Sequence, residues 1–365
     1  MAAAVLSTGV RARIQPRPEI VAMEGYHSPQ VAVHVRLNTN ESPFAPPALW
    51  QEQLADEVAS IDFHRYPDRQ ARRLRDAIGV LHGVGADQVF VANGSNEVLQ
   101  TVCLTYGGVG RTVLTFEPTY ALHAHIARIT GATVVTAERG ADFTLDAATL
   151  DRELDRVAPD ITFLCSPNNP TGLVEPRSII ERTIARAPGL VVVDEAYGQF
   201  APWSALSLID DSLPFAVVRT YSKTWAMAAA RLGYLIAPAW LVAELEKVVL
   251  PYHLDAMKQA AGRLALHFEP EMRARVQEVV NERERLVSAL TGLDVEVFPS
   301  SANFVLFRPR SHDAGRVWQG LVDRSVLVRD CSSWPRLQGC LRVTIGTSDE
   351  DDQFICALRE VLAVA

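Results

Sequence analysis

A lysine at position 223 stands in the run TYSKTWAMAAARLGY, Thr220 to Tyr234, in a chain that holds three lysines against thirty-two arginines. Where arginine is the rule, a lysine marks a position that needs what a guanidinium cannot do. A primary amine can lose its proton and attack a carbonyl to form a Schiff base, whereas arginine keeps its charge. Thr220, Ser222 and Arg231 add two hydroxyls and a guanidinium around it, donors suited to a phosphate. A surviving surface lysine is the plain alternative, and the amine alone does not decide between them.

Three other stretches carry comparable chemistry, each directly after an apolar run. In VANGSNEVLQ, Gly94, Ser95 and Asn96 fall where a helix begins, with Ser95 or Asn96 as its cap. Free backbone N–H groups and the helix dipole make such a start an anion site, although an ordinary capped helix reads the same way. CSPNNPTG sets Asn168 and Asn169 in a turn dictated by its prolines and Gly172. VVVDEAY brings Asp194 out of three valines, so its carboxylate must face a cleft or carry a desolvation cost. Asp194 could meet a cationic ring nitrogen and Tyr197 could donate to a phenolic oxygen; structural carboxylates are the competing reading. An amine, a phosphate cup, a carboxylate for a ring nitrogen and a hydroxyl for a phenolate together describe one ligand, pyridoxal phosphate.

The elements that must position these residues alternate in kind. Short β-branched runs, Gln88–Ala92, Thr112–Phe116, Ala132–Ala137, Ile161–Ser166, Leu190–Tyr197, Phe215–Ser222 and Leu232–Ala237, alternate with helical stretches. That pattern predicts an α/β fold with a mostly parallel sheet covered on both faces, where ligands bind at the carboxyl ends of strands. After Pro251 a long charged amphipathic segment, Met257–Leu290, precedes the strand-like VEVFP, NFVLF, VLVRD and LRVTIG, which suggests a smaller α+β domain. The expected division is 1–40 as an N-terminal arm with part of the small domain, 41–250 as the large domain and 251–365 as the small C-terminal domain. Before about Thr39 the chain reads as irregular.

A net charge of −8 and a pI near 5.6 argue against a nucleic-acid partner. No apolar run reaches the roughly 18 residues of a membrane span. Five cysteines without CxxC spacing fit reduced thiols in a cytoplasm rather than a disulfide framework or metal site. His123 and His125 read as ordinary helix or loop residues.

In the order and spacing of LNTNESPF, HRYPD, ANGSNEVLQ, FEPTYALH, SPNNPTG, VVDEAY, YSKTWAMAAARLGY, SSANFVLF and VRDCSSWPRLQGCLRVTIGT, the chain resembles the fold-type I pyridoxal-phosphate aminotransferases, and within them the histidinol-phosphate aminotransferases. The resemblance covers nearly the whole chain and implies a seven-stranded large-domain sheet and a cytoplasmic homodimer. It implies that Lys223 bonds the cofactor and shuttles a proton, and that Asp194 holds the ring nitrogen protonated. Tyr197 and Asn169 would bond the phenolic oxygen, and Tyr120 would stack on the ring. Gly94, Ser95, Asn96, Thr220, Ser222 and Arg231 would cup the phosphate, with Tyr66 reaching it from the neighbouring subunit. Tyr26, Asn169, Arg329 and Arg342 would bind substrate, Arg342 taking a carboxylate or the substrate phosphate and Arg329 the phosphate; an arginine paired with Asp330 is the alternative for Arg329.

The implied reaction moves an amino group between L-histidinol phosphate and 2-oxoglutarate by a ping-pong route through the pyridoxamine form. An aromatic amino-acid aminotransferase and a threonine-phosphate decarboxylase of cobamide synthesis are the alternatives on the same scaffold. Two positions depart from the family pattern: Asn96 stands where aspartate is frequent, and Ala229 where glycine is usual.

Overall fold

Apolar β-branched runs bounded by proline and glycine favour strands, and twelve are present among the described residues of the computed structural model. The structure describes residues 14–21, 23, 25 and 31–363. The strands are β1 Val35–Leu37, β2 Val89–Ala92, β3 Thr112–Glu117, β4 Thr133–Glu138, β5 Ile161–Cys165 and β6 Leu190–Asp194. They continue with β7 Phe215–Thr220, β8 Gly233–Ile236, β9 Val295–Val297, β10 Phe304–Pro309, β11 Val326–Asp330 and β12 Leu341–Thr344.

Seven strands form one sheet in the order β2-β8-β7-β6-β5-β3-β4. Within it β8 pairs antiparallel with both β2 and β7, and the other pairs are parallel. Its central strands are buried along their whole length, as sheets covered by helices on both faces require. One face packs Phe90, Phe163, Val192 and Val218 against Leu99, Val102 and Leu241. The other packs Leu114, Leu164, Val193 and Val217 against Leu150 and Ile180. The remaining strands form a five-stranded sheet in the order β1-β11-β12-β10-β9. Both sheets lie in the compact unit of residues 31–365, whereas the segment before it contributes one helical turn, Pro18–Val21.

Three local expectations differ from the fold. Val35–Leu37, read as part of an irregular stretch, is the edge strand β1, paired in parallel with Val326–Val328. Three residues carry too little periodicity to stand out, and the partner lies about 290 positions away. The amphipathic segment Met257–Leu290 is two helices, Ala256–Ala265 and Glu269–Thr291, separated by a 3₁₀ turn at Leu266–Phe268. Pro270 causes the break, since it suits a helix start and lacks the N–H an interior would need. The strands expected to run to Tyr197 and Ser222 stop at Asp194 and Thr220, which frees the residues beyond them to turn.

Candidate active site

Strand direction gathers the chemistry at one edge. Asp194 ends β6, Lys223 lies three residues beyond β7, Asn169 follows β5, Tyr120 follows β3 and Gly94 follows β2. Because β8 runs opposite to β7, its beginning falls at the same edge, and Arg231 two residues before it joins the group. This is the carboxyl edge of the parallel strands, where open α/β sheets place their ligands.

Lys223 is partly buried and its Nζ donates to the Thr39 carbonyl at 3.0 Å. Burial, reinforced by the positive field of Arg342, pushes its pKa down from 10.5 to about 7, against the pull of Glu41. An appreciable share of the amine is therefore neutral near pH 7, as a nucleophile or a proton carrier must be. The linkage sign follows. Between about pH 7 and 10.5 the unfolded chain keeps a proton on this amine that the folded chain has shed, so folding gains stability as pH rises through that window. Relative to Lys223→Met, the cofactor-free protein is expected to gain thermal stability from pH 7 to 10; a pH-independent difference in melting temperature would contradict it.

Asp194 is 1% exposed, and its Oδ2 lies 3.0 Å from Nε2 of His123 while Oδ1 accepts from the Ala196 amide. A carboxylate can only accept, which assigns the ring proton to Nε2 of His123. His123 is stacked on Phe163 at 4.8 Å and meets the Tyr120 ring edge-on at 5.4 Å. Its role was missed in the sequence, where it read as an ordinary helix residue. The available signal was its place in TYALH, at the start of the helix Leu122–Ile129 that follows Tyr120.

Tyr197 is buried, and its hydroxyl accepts from Nδ2 of Asn40 at 2.9 Å. Burial pushes its pKa up to about 12, so the phenol keeps its own proton to donate. Oδ1 of Asn169 accepts from Nη1 of Arg342 at 2.5 Å, which leaves the Asn169 amide NH₂ as its donor. Arg342 also donates to the Asn38 carbonyl, at 3.1 Å. Asn38, Thr39 and Asn40 thus each fix one site side chain: Arg342, Lys223 and Tyr197 respectively. The motif LNTN was visible in the sequence, but no spacing rule could assign it this support role.

The hydroxyls and Arg231 do converge. Thr220 Oγ1 donates to Ser222 Oγ at 3.0 Å, and Arg231 Nη1 donates to the same oxygen at 3.2 Å. Neither Ser95 nor Asn96 caps the helix Ser95–Tyr106. Gly94 does, at φ +82°, where a Cβ would come within 2.8 Å of Arg231 Nη2. A left-handed turn pressed against a guanidinium accounts for glycine there. Asn96 Oδ1 accepts from the Tyr120 hydroxyl at 3.1 Å, a bond an aspartate would make equally well. Ala229 is exposed and outside the positive-φ positions, so its methyl group costs nothing in that turn.

Arg329 and Arg342 sit directly opposite one another on β11 and β12, 8% and 5% exposed. Arg329 lies on an interior strand, between β1 and β12. Tyr66 stands apart from this cluster, 80% exposed and stacked on Tyr252 at 4.4 Å. Tyr26 lies outside the described residues.

The family model for aminotransferases of class I and II matches residues 33–358. The chain belongs to that family. A histidinol-phosphate aminotransferase of Mycobacterium avium is 40% identical over 98% of this chain and 92% of its own length. One from Streptomyces avermitilis is 42% identical, covering 94% and 96%. Among solved structures, the histidinol-phosphate aminotransferase of Sinorhizobium meliloti in complex with pyridoxal-5'-phosphate superposes with a TM-score of 0.84 at 22% identity, covering 97% of this chain and 99% of that one. At that identity the superposition bears on the fold alone.

Members of this aminotransferase family depend on pyridoxal phosphate, and the residues present fit it. An amine of lowered pKa, a buried carboxylate, a protonated phenol and a hydroxyl–guanidinium cup beside a helix N-terminus meet at one edge, with Gly94 leaving the backbone bare beside Arg231.

Proposed function

We infer that this aminotransferase exchanges an amino group between L-histidinol phosphate and 2-oxoglutarate, giving imidazole-acetol phosphate and L-glutamate. The paired arginines Arg329 and Arg342 carry the reading: a phosphate ester needs more cationic donors than a lone carboxylate, and a guanidinium fork binds either group. Relatives of that name at about 40% identity over nearly the full chain support the same substrate over an aromatic amino acid or threonine phosphate.

Bound pyridoxal phosphate supplies an electron sink and carries the amino group between the two half-reactions. The protein does the rest. Lys223 Nζ would take the proton from the substrate Cα and deliver it to the carbon on the far side of the amino nitrogen, two atoms away. Asp194, fixed by His123 and Ala196, holds negative charge where the ring nitrogen must stay protonated. The Tyr197 hydroxyl and the Asn169 amide would donate to the phenolic oxygen, and Tyr120 would cover the ring. Gly94, Ser95, Asn96, Thr220, Ser222 and Arg231 would hold the phosphate.

The working unit we propose is a cytoplasmic homodimer. Tyr66 at 80% exposure, with Phe63 at 68% and Leu250 at 76%, is supported as a contact surface from which Tyr66 reaches the partner's phosphate.

The test is a half-reaction. Cofactor-loaded protein mixed with L-histidinol phosphate and no keto acid should release one equivalent of imidazole-acetol phosphate per chain. Later addition of 2-oxoglutarate should yield an equal amount of glutamate, from a particle sedimenting at twice the 40.1 kDa chain mass. Release of carbon dioxide from threonine phosphate, or turnover with phenylalanine but not histidinol phosphate, would overturn the assignment.

A further inference from the structure

A side-chain amide has a donor end and an acceptor end, and the end that faces a hydroxyl decides where the hydroxyl's own proton can go. Asn40 carries such an amide, 1% exposed, on a backbone at φ +54° that asparagine tolerates better than most residues. Its main chain is clamped from the five-stranded sheet. The Asn40 N–H donates to Thr344 Oγ1 at 2.9 Å, and the Asn40 carbonyl accepts from Asn303 Nδ2 at 3.1 Å. The Thr344 hydroxyl, buried on β12, donates its single proton to Asn40 Oδ1 at 3.1 Å. That leaves Asn40 Nδ2 to donate to the Tyr197 hydroxyl, at 2.9 Å. Turned over, the amide would set its NH₂ against Thr344 and leave a buried hydroxyl proton without that acceptor, a cost the observed sense avoids.

We propose that Thr344 is a positioning residue: through the Asn40 amide it makes the Tyr197 hydroxyl an acceptor on one side, so that its one proton goes to the cofactor's phenolic oxygen on the other. The inference rests on the reading above that Tyr197 faces that oxygen. The tyrosine ring has little freedom to escape the arrangement, since it is buried and meets Phe304 edge-on at 5.0 Å. Phe304 is the β10 residue directly opposite Thr344, so one strand pair holds both the ring and, through Asn40, its hydroxyl. Arg342, two residues before Thr344 and on the same face of β12, acts in the same way on the second donor. Its Nη1 donates to Asn169 Oδ1 and so leaves the NH₂ end of that amide to donate. A strand outside the seven-stranded sheet thus sets the direction of both hydrogen bonds to one oxygen.

The visible absorbance of bound pyridoxal phosphate reads this out, because it changes with pH as the nitrogen beside the phenolic oxygen loses its proton. A donor to that oxygen stabilises the anion and lowers the midpoint of the change; loss of the donor raises it. In cofactor-loaded protein Tyr197→Phe should raise the midpoint by about one pH unit, the scale of one hydrogen bond to a charged group. Thr344→Val keeps the side-chain shape without the hydroxyl and should raise the midpoint by at least about half as much. Thr344→Ser, which keeps the hydroxyl, should leave the wild-type midpoint. Asn40→Gly suits the left-handed backbone and keeps both main-chain bonds, so it tests the same relay should Thr344→Val fail to fold, and it too should raise the midpoint. A wild-type midpoint in Thr344→Val or Asn40→Gly, or equal shifts in Thr344→Ser and Thr344→Val, would overturn the role of Thr344. An unchanged midpoint in Tyr197→Phe would show instead that Tyr197 does not face the oxygen, and the reading beneath the inference would fall with it.

Discussion

Lys223→Arg is expected to abolish transamination, with single-turnover rates on histidinol phosphate falling on the order of 10⁴-fold or more while the chain still folds. The scale is that of removing a general base, about 10²–10⁴, compounded by loss of the amine proposed to bond the cofactor. Arginine keeps the positive charge and a donor for the Thr39 carbonyl, so a loss isolates the ability to shed a proton. The structure explains why the native amine has that ability: burial and the nearby Arg342 depress its pKa to about 7. Lys223→Ala should show a similar loss, with partial rescue by added small primary amines. A Lys223→Arg protein that retained more than about a hundredth of the wild-type rate would remove Lys223 from the chemistry.

Asp194→Asn should be the second most damaging change, lowering kcat by about 10²–10³-fold with cofactor still bound, the range seen when one preorganised electrostatic group is removed. The substitution keeps the shape but takes away the negative charge and forces a choice on His123. Nε2 of the imidazole now faces either the amide oxygen or the amide NH₂, and the Ala196 amide competes for that same oxygen. His123 is buried between Phe163 and Tyr120, so the ring has little room to adjust. The measurement is kcat together with the absorbance of the bound cofactor across pH, since a ring nitrogen that no longer holds its proton changes that spectrum. Wild-type kcat with an unchanged spectrum would mean that Asp194 does not face the ring nitrogen.

Much of this was legible from local order alone. A lysine kept where arginine is the rule, an aspartate ending a valine run, and paired asparagines in a proline turn are properties of a few consecutive residues. Strand-helix alternation then set them at the carboxyl edge of a sheet, because parallel strands joined by crossover helices all present the same end. What remained hidden joins positions far apart in the chain. The His123–Asp194 contact spans 71 residues, the Thr39–Lys223 contact 184 and the Asn38–Arg342 contact 304. No periodicity encodes such pairs; packing of separate elements makes them.

The sequence by itself determined the chemical vocabulary, the mostly parallel sheet and the edge at which the candidate site residues gather, since side-chain chemistry and backbone preference act over one turn or one strand. Tertiary structure alone decided that Gly94 rather than Ser95 caps its helix, that Val35–Leu37 joins a sheet, and that Arg329 faces Arg342 beneath one indole. Those outcomes depend on register between strands, which shifts every side chain when it moves by one residue and is set only when distant faces bury each other.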